Sequence, residues 1–323
     1  MKILEYKRIY LTISAMAVLG AIAMISFFGF NMGIDFKGGS VYEIKYKNEA
    51  PLLNQVKKSV SDSNIGNYSV QKLGEKSFVI KTPELTDEMK STLDNNLSID
   101  GKYVFDPVQF KTISPSVSSE FVNKSIWAFI LVSLTIVLFI AYVFRGVSRP
   151  VSSYKYGLIA IVALLHDTII PAGIFALLGS QFIQFQIDVL FVTAILAILG
   201  YSVNDTIVVF DRIRENLKKE GKKVKGKRFE EVVEKSLKQT IRRSLFTSLT
   251  TLIVILFLYF MGGENTKPFT LVLAIGIIAG TYSSIFIASP LLVYVEKFWK
   301  SPEKKDRSEM TEEELTKELT RLD

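Results

Sequence analysis

The sequence predicts a polytopic α-helical membrane protein, with six transmembrane helices and one small α+β domain inserted between the first and second. Three observations carry this. Apolar residues make up 49% of the 323-residue chain and fall in blocks rather than in a period, and blocks separate membrane spans from a globular core. Six blocks, Ile9–Phe30, Ser125–Phe144, Tyr156–Leu178, Phe185–Phe210, Leu245–Met261 and Pro268–Val295, are each about long enough to cross a ~30 Å hydrocarbon core as a helix. The stretch 31–124 between the first two blocks shows short strand-like and helix-like patterns instead.

The first block has a basic start and small-residue triplets such as Ala21-Ile22-Ala23, but its apolar core exceeds the ~7–15 residues of a signal peptide, so it is expected to remain as a span. Orientation follows from the short loops. Lys2, Lys7 and Arg8 precede the first span, Arg145, Arg149 and Lys155 join the second to the third, and the segment 211–243 holds thirteen Lys/Arg against six Asp/Glu. The alternate loops, 179–184 and 262–267, carry a single Lys. Basic loops stay inside, which places both termini in the cytosol, the segment 31–124 outside, and the chain in a cell membrane. The net charge of +7 is thereby read as orientation and anionic-lipid contact rather than a nucleic-acid surface. With no cysteine in the chain, disulfides and Cys-based metal sites are excluded.

The expected units are 1–30 for the N-terminus and first span, 31–124 for the outside domain, 125–299 for the remaining five helices, and 300–323 for a Lys/Glu-rich cytosolic tail. After the first span comes Gly33-Ile34-Asp35-Phe36-Lys37-Gly38-Gly39-Ser40, read as a tight turn that re-enters a strand. Val41–Lys47 alternates, with Tyr42, Ile44 and Tyr46 on one face. Leu52, Leu53, Val56 and Val60 repeat at helical spacing after Pro51. Tyr68–Leu73 and Ser77–Thr82 read as a hairpin around Gly74. Leu85, Met89, Leu93 and Leu97 mark a second helix with Thr82 or Thr86 as cap, and Tyr103–Phe110 a last strand. The order β-α-β-β-α-β is the split, ferredoxin-like arrangement.

The spans carry the candidate chemistry. His166, the only histidine, and Asp167 lie mid-span, with Pro171 and Gly173 expected to loosen the helix one turn on. The pair is either a proton relay or a set of fixed interhelical hydrogen bonds. In the fourth span Asp205 lies six residues before Asp211, roughly 9 Å inward at ~1.5 Å per residue. A carboxylate in hydrocarbon costs at least ~2.5 kcal/mol, so Asp205 is the first functional candidate. Tyr201 shares its stripe, and Asn204 sits ~100° around. Phe229, Val232, Val233, Leu237 and Ile241 recur at helical spacing, predicting an amphipathic helix at the membrane surface that runs into the fifth span. Arg242 and Arg243 lie at that seam, where a long stem can carry a guanidinium to a carboxylate.

Taken in order, the Gly33–Ser40 motif, the His166–Gly179 stretch, the Ser202–Asn216 stretch and Lys238–Thr251 resemble the SecF family over nearly the whole chain. That family is the smaller partner in the SecDF protein-export complex and is related to the resistance-nodulation-division transporters. The resemblance implies an auxiliary export role driven by the proton motive force in the bacterial plasma membrane. It implies SecD, the SecYEG channel and translocating preproteins as partners, with no enzymatic activity, cofactor, metal or nucleic acid. It also marks Asp205 as the proton-carrying carboxylate, with Arg243 or its neighbour Arg242 as partner, and Gly33, Asp35, Gly38 and Gly39 as the family's glycine motif. Two rival readings are a small-solute or lipid transporter of the same superfamily and a non-conducting scaffold subunit.

Overall fold

The computed structural model describes residues 3–144, 153–182, 184–221, 224–263 and 266–298. The expected tail 300–323 and the orienting residues Lys2, Arg145 and Arg149 lie outside them.

A short 3-10 turn, Ile3–Tyr6, leads into α1 (Lys7–Phe28). One turn of helix, α2 (Ile34–Lys37), precedes the strand β1 (Gly39–Tyr46). Then come α3 (Leu53–Asp62), β2 (Ser69–Leu73), β3 (Ser77–Thr82), α4 (Asp87–Leu97) and β4 (Phe105–Ile113). The bundle continues with α5 (Pro115–Val143), α6 (Ser153–Gln181), α7 (Val189–Glu220) and α8 (Lys227–Met261). The last span is α9 (Lys267–Ser283), a π-helical turn at Ser284–Ala288, and α10 (Ser289–Phe298). Six of these helical segments are long and apolar enough to cross a membrane.

The four strands form one antiparallel sheet in the order β2-β3-β1-β4. As expected from the alternation, Tyr42, Ile44 and Tyr46 face inward, where Phe78 and Ile80 join them against Val56 and Val60 of α3 and Leu93 and Leu97 of α4. Tyr46 sets its ring edge-on to Phe78 and Phe105, each at 5.7 Å, and donates its hydroxyl to Leu97 O at 3.0 Å, so its polar tip is satisfied inside the core. Leu52 and Met89, read from spacing as core, are exposed; Leu52 stands at the N-cap of α3 and Met89 on the outer side of α4. Thr86 is the cap of α4, accepting from Met89 N at 3.3 Å, and Asp87 and Glu88 follow in its first turn, where negative charge suits the helix N-terminus.

The glycine motif differs from its expected form. It is a helical turn, not a plain loop, and the two following glycines bend the chain into β1. Gly38 has φ +75° and Gly39 φ +114°, and a Cβ on Gly39 would stand 2.5 Å from Thr82 O, so only glycine permits this approach of β1 to β3. The chain around it is pinned to the bundle: Gly33 N donates to Ile187 O and Ile187 N to Asn31 O, both at 2.8 Å.

In the bundle, α6 and α9 are central; α1 and α5 flank α6, and α7 and α8 close the other side. Helix α6 continues without a break through Pro171. Nor does Gly173 loosen it. A Cβ there would meet Ala21 at 2.5 Å, so Gly173 is where α1 and α6 touch backbone to backbone, the role of small residues between membrane helices. The second boundary also shifts: α5 begins at Pro115 at its N1 position, so the expected limit at residue 124 falls inside one helix.

The segment 211–243 is not a helix lying alone on a lipid surface. Helix α7 runs on to Glu220 and α8 starts at Lys227, forming an antiparallel hairpin. The apolar stripe Phe229, Val232, Val233 and Leu237 packs against Ile213 and Leu217 of α7 and against Ile3 and Leu4. Asn216 of α7 bonds Ser236 and Gln239 of α8, both at 2.8 Å. Ile3 N and Leu4 N both donate to the Glu234 carboxylate, at 2.9 and 2.8 Å. Lys155 meets Glu296 of α10 at 2.9 Å. The N-terminal turn, the hairpin and α10 therefore share one side of the bundle, opposite the sheet.

A candidate proton site in the bundle

Two buried carboxylates define the site. Asp205, on α7, is 4% exposed, and Asp167, on α6, is 0% exposed.

Tyr201 and Asp205 share one face of α7, as expected, and that face meets Ser248 of α8, while Asn204 is turned outward, where it is exposed. Asn204 is therefore not brought into the site, because one residue of α-helix rotates a side chain by ~100°. Ser248 Oγ of α8 donates to Asp205 Oδ2 at 3.4 Å, and itself receives Tyr201 Oη at 3.2 Å and Thr281 Oγ1 of α9 at 2.6 Å. One hydroxyl thus uses its single donor on the carboxylate and both lone pairs on neighbours. Ser244, one turn earlier on α8, is buried beside the same carboxylate.

Arg243 is exposed on α8. It makes no ion pair with Asp205 among the described residues, yet stands near enough for its charge to act on that carboxylate. Arg242, the alternative, is also exposed.

His166 and Asp167 do come together. His166 Nδ1 lies 2.8 Å from Asp167 Oδ1, and the His166 ring stacks over Tyr282 at 6.2 Å. Asp167 Oδ2 accepts from Ser283 Oγ of α9 at 2.7 Å and from Ser202 Oγ of α7. Thr206 and Ser284 share a further bond at 2.9 Å. Hydroxyls of α7, α8 and α9 thus form a polar layer with Asp167 on one side and Asp205 on the other, a few residues from the π-helical turn that widens the last span. Such turns frequently mark functional positions. Because a hydroxyl both donates and accepts, this layer serves an ionised or a protonated carboxylate alike.

Sequence reasoning missed Ser202, Thr206, Thr281, Ser283 and Ser284. The signal was small polar residues recurring inside apolar spans, with the adjacent Ser283-Ser284 the plainest case.

The glycine motif supplies a second polar station at the other end of α7. Asp35 is 5% exposed; its Oδ1 meets Lys111 Nζ of β4 at 2.6 Å, and its Oδ2 accepts from Val189 N, the first residue of α7, at 3.0 Å. Asp188 caps the same helix through Phe191 N at 2.8 Å. One side chain therefore ties the sheet to the helix that carries Asp205.

Residues 98–298 match the SecD/SecF C-terminal family of protein export membrane proteins, and residues 23–50 match the SecD/SecF GG motif. The chain belongs to the SecD/SecF family. Protein translocase subunit SecF of Thermobaculum terrenum is 40% identical over 90% of this chain and 92% of its own length. Protein translocase subunit SecDF of Brucella abortus is 32% identical over 96% of this chain but only 38% of its own. The crystal structure of SecDF, a translocon-associated membrane protein from Thermus thermophilus, is 28% identical and superposes with a TM-score of 0.78, covering 92% of this chain and 39% of that longer one. Family membership and six apolar helices make this SecD/SecF-family chain a multi-pass membrane protein. The GG motif of the family contains Gly38 and Gly39, the pair that bends the chain into β1.

Proposed function

We propose that this chain is a SecF-type auxiliary subunit of a bacterial Sec export machine, in which proton transfer at Asp205 moves the sheet domain and helps draw preproteins across the plasma membrane. The observation that carries the proposal is the placement of α7: Asp205 is buried in its middle, and its N-terminus is bonded to Asp35 beneath the sheet. In one state Asp205 is ionised, with the hydroxyl layer and Arg243 beside it. Protonation weakens that attraction and lets α7, α8 and α9 repack. His166 and Asp167 act as a relay on the α6 side, with Ser202 and Ser283 completing it.

The sheet domain is read as extracytoplasmic and ferredoxin-like, which the β-α-β-β-α-β order and the β2-β3-β1-β4 pairing support. Both termini are read as cytosolic, which the basic loops and the shared side of the N-terminal turn and hairpin support. Chains in which a relative is named SecDF support SecD as the partner, with the SecYEG channel, preproteins and membrane lipids as further partners. No enzymatic activity, cofactor or metal is assigned.

The test is export into sealed membrane vesicles energised by a proton gradient, with Asp205→Asn in place of the native chain. The variant is expected to co-purify with its partners in native amount while gradient-dependent export falls to the level without the subunit. Undiminished export by the variant refutes the proton role. Loss of co-purification together with loss of export instead favours a scaffold.

A further inference from the structure

Where α1 and α6 end on the sheet side of the bundle, they open with β2 and β3 onto a cavity of about 820 Å3, within the range of small-molecule sites. Its composition is lopsided. Among the described residues two lysines, Lys37 of α2 and Lys81 of β3, line it, and no Asp or Glu does. Neither ammonium makes an ion pair among the described residues, whereas Lys7, Lys90 and Lys155 meet carboxylates at 2.6, 3.1 and 2.9 Å. The remaining wall mixes amides with aromatic rings. Phe28, Phe30 and Phe182 stand at the ends of the two spans, with Asn31, Gln181 and Gln186 beside them, and Asn67 and Gln71 lie toward the sheet.

A site that joins two lysines and several amides to three phenylalanines, at the end of two membrane spans, matches one chemical class. We propose that this cavity holds the phosphate headgroup of an anionic membrane lipid, with Lys37 and Lys81 on the phosphate and Phe28, Phe30 and Phe182 against the glycerol and first methylenes. Lys81 is pulled down to about 8, first by burial and then by the charge of Lys37, and an anion between the two offsets both effects. A lipid here stands between β3 and the bundle, beside the Gly33–Ile187 backbone bond, and so fixes the height at which the sheet domain rides on the membrane.

The test uses the full chain in neutral detergent, stripped of lipid and titrated with phosphatidylglycerol or phosphatidylcholine, with bound lipid counted by native mass spectrometry. Phosphatidylglycerol is expected to be retained and phosphatidylcholine not. A charge-assisted hydrogen bond per lysine makes the loss about tenfold in affinity for Lys37→Gln and for Lys81→Gln. Lys81→Arg restores it, and Lys57→Gln, on the exposed side of α3, leaves it unchanged. Lys37 is exposed, so Lys37→Gln decides the matter even if Lys81→Gln does not fold. Equal retention by wild type and Lys37→Gln overturns the proposal. Displacement of the lipid by equimolar inorganic phosphate makes this a free-anion site and overturns it too, as does displacement by an equimolar acidic peptide.

Discussion

Asp35 offers the sharpest test of how the sheet and the bundle are joined, because its two oxygens face different parts of the protein. Oδ1 pairs with Lys111 at 2.6 Å and Oδ2 accepts from Val189 N at 3.0 Å. The carboxylate side chain is 6% exposed and the ammonium side chain 46%, so the pair lies between a solvated ion pair, about 0.2–1 kcal/mol, and a buried charged hydrogen bond, about 1.5–3 kcal/mol. We take about 1.5 kcal/mol for it. A carboxylate at a helix N-terminus adds about 0.5–1 kcal/mol. Asp35→Asn loses both contributions and should cost about 2–2.5 kcal/mol, whereas Lys111→Gln loses only the first, about 1.5 kcal/mol. The double variant should then be no worse than Asp35→Asn alone, a coupling of about 1.5 kcal/mol in a double-mutant cycle. At roughly 2 °C per kcal/mol for a chain of this size, the midpoints in one detergent should fall by about 5, 3 and 5 °C for Asp35→Asn, Lys111→Gln and the pair. Additive losses, near 8 °C for the double variant, would show that Lys111 and Asp35 act separately, and the link through α7 would fail with them.

Three further outcomes follow from other contacts. Asp167→Ala strips the acceptor from His166, Ser202 and Ser283; at about 0.6–1.7 kcal/mol per intramembrane contact, it should lower stability by about 3 kcal/mol. Asp167→Asn, which keeps an acceptor oxygen, should lose less than half of that in the same thermal assay, and equal losses would contradict the role of that oxygen. Gly39→Ala meets both a φ of +114° and Thr82 O at 2.5 Å; it should cost about 3 kcal/mol and show as rapid proteolysis between β1 and β3, while unchanged protease resistance would deny the close approach. Lys81, lowered from 10.5 to about 8, binds fewer protons folded than unfolded between those values, so stability in lipid-free detergent should rise with pH across roughly 8 to 10.5. That rise should vanish in Lys81→Gln, and a slope that survives the substitution assigns it to another group.

How much could be read from the chain depended on whether a contact was local. Blocks of apolar residues marked the six spans, and period-two alternation put Tyr42, Ile44 and Tyr46 inward, because both signals are carried by residues close in sequence. Asp205 was conspicuous because a lone acid stands out in an apolar run. The ends of elements were less legible: Pro115 starts α5 ten residues before the apolar block begins, since polar residues outside the hydrocarbon can extend a helix at little cost. The hairpin was misread for a related reason. Phe229, Val232, Val233 and Leu237 announce an apolar face, but spacing does not say whether lipid or Ile3, Leu4, Ile213 and Leu217 cover it. Lys111 was invisible, being one lysine among many, and only the fold brings it to an aspartate 76 positions away.

The two polar stations on α7 set a lever whose dimensions are fixed by helix geometry. Val189, bonded to Asp35, and Asp205 are sixteen residues apart on one unbroken helix, which is about 24 Å at ~1.5 Å per residue. A tilt of about 10° pivoting near Asp205 then displaces the N-terminus of α7 by about 4 Å, more than the 3.0 Å bond to Asp35 can stretch. Either the bond breaks or the sheet moves with the helix, and the pinning of residues 31–33 to Ile187 favours movement together. The chain has no cysteine, so spin labels at Lys57→Cys on α3 and Val254→Cys on the outer face of α8 report the sheet-to-bundle distance without background. On the proposed coupling, Asp205→Asn shifts that distance distribution by about 4 Å from the native one, and adding Asp35→Asn returns it toward the native position or broadens it. A shift that survives Asp35→Asn unchanged routes the motion through α1 and α5 instead. Identical distributions in all three chains would leave protonation of Asp205 without a mechanical consequence for the sheet.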